Sequence, residues 1–575
     1  MSRTQHPGSK PRKKREDTRR EKRRKQREQG AETGARSQRQ TLIIAGGISI
    51  LLFLLIYLTR LDRVVGMMPD DAWYVLLAKA LATGQGYTLI NSPSPGIVPV
   101  YPPAFPFLLS ILYRLSPEFP ANVWLLKSIS IVAVLGTGFA TWYYFVRVRE
   151  LPPLPAMGIA AGTMLSPAFA FLATSTVMSE CLFTLVQMAA IIAIERCVRS
   201  EKEEVWKYAI IGAALASFAF LVRSMAVGLI VAIVLYLLGN RLTRATLIFV
   251  AGVALLAGPW VMYSQAHRPT AEHKLEMSNS FIISSYSDQF WDKLAGSGEG
   301  KISAREIPAR VGSMAADIGT QEIGGLLITP LFRSLNLGLA ERMDAGRMLL
   351  SLLVTLIVIA GFVAAVREKI TLVELVVPLS LLIIVLWPFP PFRFVLPLLP
   401  FAIFYAGKGV QTLLRLFGGG PTGDRPVSWL LFGATVWFIA VLNVITNLEY
   451  IGRRFSPRLT ERPRWTRAFD DIEATLQWAN QNLPTPDAVA SNNPALAHLF
   501  TGRKTVAYVD PAGDWERWKQ KNVRYIVHAL PVGIAAPDES ERQYKILYRS
   551  GDLGLRVVDL GPVDSRLPWI KEKTK

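Results

Sequence analysis

Residues 208–239 read YAIIGAALASFAFLVRSMAVGLIVAIVLYLLG. A bilayer core needs about 20 apolar residues per helix. As one helix this stretch is too long and carries Arg223 near its middle. As two helices, 208–221 and 225–239, it turns at Arg223. Loop charge decides between them. With two helices, the segments around Arg147/Arg149, Arg196/Arg199, Arg241/Arg244, Arg367/Lys369 and Lys408/Arg415 all fall on the side of the N-terminal tail. That satisfies the positive-inside rule. With one helix the later loops invert and the rule fails.

Working outward, the other apolar runs are 41–58, 123–145, 154–173, 179–195, 245–263, 347–366, 372–388, 392–414 and 428–447. The expectation is an α-helical polytopic membrane protein of about eleven transmembrane helices, with the N-terminus cytoplasmic and the C-terminus extracytoplasmic in a cell (inner) membrane. Composition agrees. Of 575 residues 51% are hydrophobic and 19% charged, with a mean hydropathy of +0.28. That is too apolar for an ordinary soluble enzyme. The net charge is +20, and residues 1–40 hold 15 Lys/Arg against five Asp/Glu. A basic total can point to nucleic acid. Here the charge precedes a long apolar run, so it reads as a disordered cytoplasmic tail that sets orientation and touches anionic membrane lipids, with no nucleic-acid partner. The run 41–58 lacks a small-residue cleavage site and reads as a signal anchor. Two cysteines, Cys181 and Cys197, make no disulfide scaffold.

The long loops 59–122 and 262–346 and the tail 448–575 then lie outside. The transmembrane domain is 41–447. The tail alternates helical patterns (465–482, 494–500, 514–520) with extended ones (486–491, 504–509, 523–529), which predicts a small extracytoplasmic α/β domain.

In the first outer loop, Trp73, Leu76, Leu77, Ala80 and Leu81 follow helical spacing. This predicts an amphipathic helix along the outer membrane surface, with Asp70 and Asp71 at its start. Asp70 is either an N-cap or a carboxylate that deprotonates and orients an acceptor. Glu180 opens another helix on the same face, where an acid also complements the helix dipole. Arg223 and Arg393 are charges inside membrane segments, which cost energy and tend to be functional. Each either grips an anionic phosphate, snorkels, or pairs with Glu180 or Asp70. His267, His273, Glu272 and Glu276 match no common zinc spacing.

Several short motifs occur in order: Asp70-Asp71-x-x-Tyr74, Gly84-x-Gly86-Tyr87, Tyr101-Pro102-Pro103-x-x-Pro106, Ser179-Glu180, Leu221-Val222-Arg223, and Arg393-x-x-x-Pro397-x-x-Pro400. In this order and topology the chain resembles the polytopic glycosyltransferases of the GT-C superfamily, among them protein O-mannosyltransferases and aminoarabinose transferases that modify lipid A. The resemblance covers residues 41–447. It implies a polyprenyl-phosphate-linked sugar donor, an extracytoplasmic acceptor and, as a rule, inversion at the anomeric carbon. It also implies a catalytic Asp70, with Asp71 standing where many relatives have Glu, and a second acid at Glu180. Arg223 and Arg393 would hold the donor phosphate, and Tyr74 and Tyr101 would shape the substrate site. The superfamily has metal-dependent and metal-independent members, so a divalent cation at Asp70, Asp71 and Glu180 stays an open expectation. The rival reading is a transporter or flippase of lipid-linked material. Such proteins tend to show interrupted helices in matching halves, and only one interruption is visible, at Arg223.

Overall fold

The computed structural model describes residues 40–68, 70–94, 96–276, 282–293, 300–329, 344–417, 425–484, 488–507, 518, 521–530, 545–551 and 553–561. The basic tail 1–39 and most of the expected helix 514–520 lie outside the described residues. The chain divides into two compact units, Met1–Leu52 and Phe53–Lys575. In the first, residues 40–52 are helical and expose Ile43, Ile44, Ile48 and Leu51. They begin the apolar helix Gln40–Arg60 (α1). All the remaining elements belong to the second unit.

The loop between the first two spans, the first loop, carries α2 (Asp71–Ala82) and α3 (Ala104–Leu115). A run of apolar helices comes next: α4 (Val123–Arg147), α5 (Pro153–Met164), α6 (Pro167–Thr174), α7 (Glu180–Arg199), α8 (Val205–Val222), α9 (Val227–Gly239), α10 (Thr243–Ala266), α11 (Ala345–Glu368), α12 (Val373–Leu386), α13 (Leu399–Phe417) and α14 (Arg425–Arg454). Among the described residues eight helices are long and apolar enough to cross a membrane, or nine if α5 and α6 form one span. The chain is a multi-pass membrane protein. Every expected span is helical, but three differ in form. The expected span 154–173 is the pair α5 and α6, bent by 45°, where Pro167 at the start of α6 cannot continue the hydrogen-bond ladder. The helices α9 and α12 have 13 and 14 residues. At 1.5 Å per residue each is about 20 Å long, short of a bilayer core of about 30 Å. They pack together, with Gly228 against Ile383 and Ser380. The break expected at Arg223 is present: α8 ends at Val222, Arg223 is extended (φ −151°, ψ 129°), and a 3-10 turn leads into α9.

The apolar face of α2, expected to meet lipid, is covered by protein. Trp73, Tyr74, Val75, Leu76, Leu77, Ala78 and Ala80 are all buried. The helix α3 packs on it, and so does α16 (Pro494–Thr501) of the C-terminal domain. It is α3 that exposes an apolar face, through Phe107, Ile111 and Leu115.

The C-terminal domain begins with α15 (Arg464–Asn482). Its strands are β1 (Ala488–Ser491), β2 (Thr505–Ala507), β3 (Val523–His528), β4 (Lys545–Arg549) and β5 (Arg556–Asp559), in the order β2-β1-β3-β5-β4. The strand β1 is parallel to β2 and β3, while β5 is antiparallel to β3 and β4. Ala490, Val506, Trp518, Val523, Ile526 and Val558 form the core. This domain is bonded to the first loop. Thr505 N–H donates to Asn91 O (2.7 Å), Asn493 Nδ2 to Gly66 O (2.8 Å) and Lys504 Nζ to Ile90 O (2.8 Å). Gly66 has φ +79°, and a Cβ there would stand 2.6 Å from Leu496 Cδ2. Only glycine meets both demands.

Candidate functional site

The start of α2, the α8–α9 break and the turn before α13 converge on one cavity of about 900 Å³. Asp70, Tyr74, Tyr101, Arg223, Arg393 and Phe394 line it on one side. Trp260, Arg268, Lys274, Tyr286, Asp288 and Trp387 are among the residues that line the rest. The short α9 and α12 contribute Val227, Ile383 and Ile384.

Asp70 occupies the N-cap position of α2 but makes no side-chain capping bond. Its carboxylate turns to the cavity. Arg393 donates to Oδ2, and Tyr101 Oη donates to Oδ1 at 2.5 Å. Tyr101 is held in turn, because Tyr87 Oη donates to the carbonyl oxygens of Tyr101 (2.9 Å) and Pro102 (3.2 Å). The Tyr-Pro-Pro turn therefore delivers a hydroxyl to Asp70 and then starts α3 at Ala104.

Glu180 is fully buried at the first position of α7. Arg223 Nη1 lies 2.9 Å from its Oε1, a charge contact without hydrogen-bond geometry, and donates to Ser179 Oγ at 2.9 Å. Tyr74 Oη is 3.2 Å from the same Ser179 Oγ. Arg393 stands 3.9 Å from Glu180 Oε1. Both guanidinium groups lie over the Phe394 ring, at 5.3 Å for Arg223 and 5.1 Å for Arg393. Two arginines thus face two carboxylates, and the formal charge of the quartet is zero. Charges buried so deeply require such pairing.

Asp71 is fully buried and is not part of the cavity lining. Its Oδ1 accepts from Ala72 N–H at 2.8 Å. Burial pushes its carboxyl up to about 7, against the pull of the Gly66 and Ala72 N–H groups, and the Asp70 charge adds to the rise. Of the expected site residues, Asp70, Tyr74, Tyr101, Arg223 and Arg393 line the cavity. Glu180 sits behind them as the counter-charge of the arginines, and Asp71 is turned away.

The loop after α10 supplies part of the lining. The C-terminal domain supplies none among the described residues; it braces the first loop instead. The positive charges set between Asp70 and Glu180 are guanidinium groups. Among the described residues no group of three His, Cys, Asp or Glu side chains is placed to hold a metal ion.

Lys127 is a buried cation that the reading of the sequence passed over. It lies four residues into α4 and is fully buried. The criterion that selected Arg223 and Arg393, a charge inside an apolar run, would have selected it too.

No family model and no curated protein matches the chain. Solved structures do. The oligosaccharyltransferase of Archaeoglobus fulgidus, in complex with zinc and sulfate, is 13% identical with a TM-score of 0.51, over 85% of this chain and 67% of that one. Looser likenesses are ArnT from Cupriavidus metallidurans bound to undecaprenyl phosphate and the mycobacterial arabinofuranosyltransferase AftD. ArnT is 12% identical, with a TM-score of 0.43, over 90% of this chain and 98% of that one. AftD is 14% identical, with a TM-score of 0.42, over 91% and 40%. At these identities the likeness concerns the fold, which is GT-C-like.

Proposed function

We propose that this multi-pass membrane protein with a GT-C-like fold is a glycosyltransferase that moves a sugar from a polyprenyl-phosphate donor to a hydroxyl of an extracytoplasmic acceptor. The observation that carries the reading is the charge-balanced quartet Asp70, Arg393, Glu180 and Arg223, of which Asp70 and the two arginines line a large cavity and Glu180 lies behind them. A carboxylate held against a guanidinium, at the edge of a cavity, supplies both a proton acceptor and an anion site.

In the proposed reaction the donor phosphate settles against Arg393 and Arg223. Arg393 shifts part of its hydrogen bonding from Asp70 to the phosphate, and Asp70 becomes free to accept a proton. The acceptor oxygen attacks the anomeric carbon, so a new carbon–oxygen bond forms. The bond from that carbon to the phosphate oxygen breaks, and its electron pair leaves with the lipid phosphate. The acceptor proton passes to Asp70. Both arginines then face a phosphate whose charge has grown, which is where fixed cations lower a barrier most. In-line attack inverts the anomeric centre.

The test uses the full chain in nanodiscs, a panel of labelled polyprenyl-phosphate sugars and an extract of envelope acceptors. Release of free polyprenyl phosphate together with labelled product supports the reading. Release from a pyrophosphate-linked donor, and from no monophosphate one, overturns the donor assignment.

A further inference from the structure

We propose that Lys127, together with Asp62, is the positioning pair that sets the two proposed active-site carboxylates in register. The inference rests on the functional reading above. A lysine ammonium has three donors, and Lys127 uses all three. It donates to Asp62 Oδ1 (2.9 Å), Asp62 O (2.8 Å) and Thr174 O (2.8 Å). Asp62 is equally committed. Its Oδ1 also accepts from Val64 N–H (3.0 Å), its Oδ2 accepts from Ser175 Oγ (2.7 Å), and its own N–H donates to Thr174 O (3.2 Å). Lys127 is fully buried and Asp62 nearly so.

What this joins matters more than its strength. Asp62 stands eight residues before Asp70, and Thr174 six residues before Glu180. The intervening residues 63–68 and 175–179 lack regular secondary structure, so nothing periodic carries register along them. Lys127 ties both to one helix, α4. A turn further along the same helix, Ser130 Oγ donates to Met178 O at 3.2 Å, two residues before Glu180. One helix face thus serves as the template for two carboxylates from distant parts of the chain. The arginines come from other elements, the α8–α9 break and the turn before α13, and are not held by this pair.

That division makes the inference testable. Lys127→Met keeps the stem and removes the charge. The double variant Asp62→Asn/Lys127→Met also removes the stranded carboxylate, which should restore stability without restoring the tether. Three quantities are measured on the full chain in nanodiscs: amide exchange of segments 62–72 and 174–180, transfer rate at saturating donor, and half-saturating donor concentration. Positioning requires faster exchange in both segments and a transfer rate lower by about 100-fold. Donor half-saturation should stay within about threefold, because the anion site is untouched. The double variant should unfold at the wild-type temperature and remain slow.

Recovery of transfer in the double variant, or faster exchange with wild-type transfer, would make the pair merely structural and overturn the inference. If the wild type transfers nothing from any polyprenyl-phosphate sugar, the functional reading falls. Exchange then decides alone: unchanged exchange in Lys127→Met overturns the tether and faster exchange in both segments supports it.

Discussion

Arg393 donates to the carboxylate of Asp70 across 323 positions of sequence, and the same guanidinium stands 3.9 Å from Glu180. Tyr101 donates to the other oxygen, so both oxygens of this carboxylate are already engaged as acceptors. An arriving phosphate competes for the same donors. In the proposed reaction the donor therefore binds first and, by engaging Arg393, activates Asp70 for the acceptor that binds second.

Asp70→Asn is expected to lower transfer by about 10²–10⁴, the usual worth of a positioned base. It should bind polyprenyl phosphate at least as well as wild type, since the competitor for Arg393 has lost its charge. No capping bond is lost, because Asp70 makes none. Transfer rate and lipid-phosphate binding, measured on one preparation, check the pair of outcomes. Near-wild-type transfer would remove Asp70 from the chemistry.

Arg393→Lys retains the charge but loses the planar fork that reaches two oxygens at once. Its half-saturating donor concentration should rise clearly above wild type. Arg393→Ala should be worse, on the order of 2–5 kcal/mol, because a buried anion is left without its partner. Donor dependence unchanged in both variants would separate Arg393 from the phosphate.

Asp71 offers a stability test away from the cavity. An aspartate titrates near 3.8 in the unfolded chain, whereas burial holds Asp71 at about 7 in the fold. Between those values the folded protein keeps the extra proton. Its stability should therefore fall as pH rises from about 4 to about 7, then level off. Asp71→Asn keeps an oxygen for the Ala72 N–H and removes the titration. At pH 8 it should be more stable than wild type, on the order of a few kcal/mol. Thermal unfolding in detergent at pH 5 and pH 8 reads this; a variant that loses stability equally at both would contradict it.

The orientation is checked with a reporter active only outside the cytoplasm. Hydrogen bonds join the C-terminal domain to the first loop, so the two share a side of the membrane. By the positive-inside rule that side is expected outside. A fusion after residue 575 should be active and one in the loop 200–204 inactive. The reverse would move the proposed site to the cytoplasmic face.

Helices α11 and α13 approach so closely that a Cβ on Gly361 would stand 1.8 Å from Tyr405 O, and one on Gly409 1.9 Å from Ile357 O. Gly361→Ala should cost about 1–3 kcal/mol, the usual penalty of overpacking. Gly258→Ala, in open space on α10, is the control and should not destabilise. Equal melting temperatures for the two variants would show that these helices part without cost.

The membrane architecture was legible in the sequence because it rests on local quantities: the length of each apolar run, the charge of each loop, the proline and glycine at its ends. The break at Arg223 came from loop charge alone. The same count of loop charge set Asp70 and Glu180 toward one face. Local quantities could not say that α2 would be covered by α16, since that contact comes from a domain more than 400 residues away. The strands β4 and β5 were missed because they are short and rich in charge, and β4 lies half-exposed at the edge of the sheet. Above all, the partner of a buried charge is a tertiary fact. Spacing marked Asp70 equally as a cap and as a base, and marked Arg393 equally as a snorkelling side chain and as an anion site. Desolvation decides between such options, because a buried charge must find its opposite, and only the packing of α2, α7, the α8–α9 break and the turn before α13 brings those opposites together.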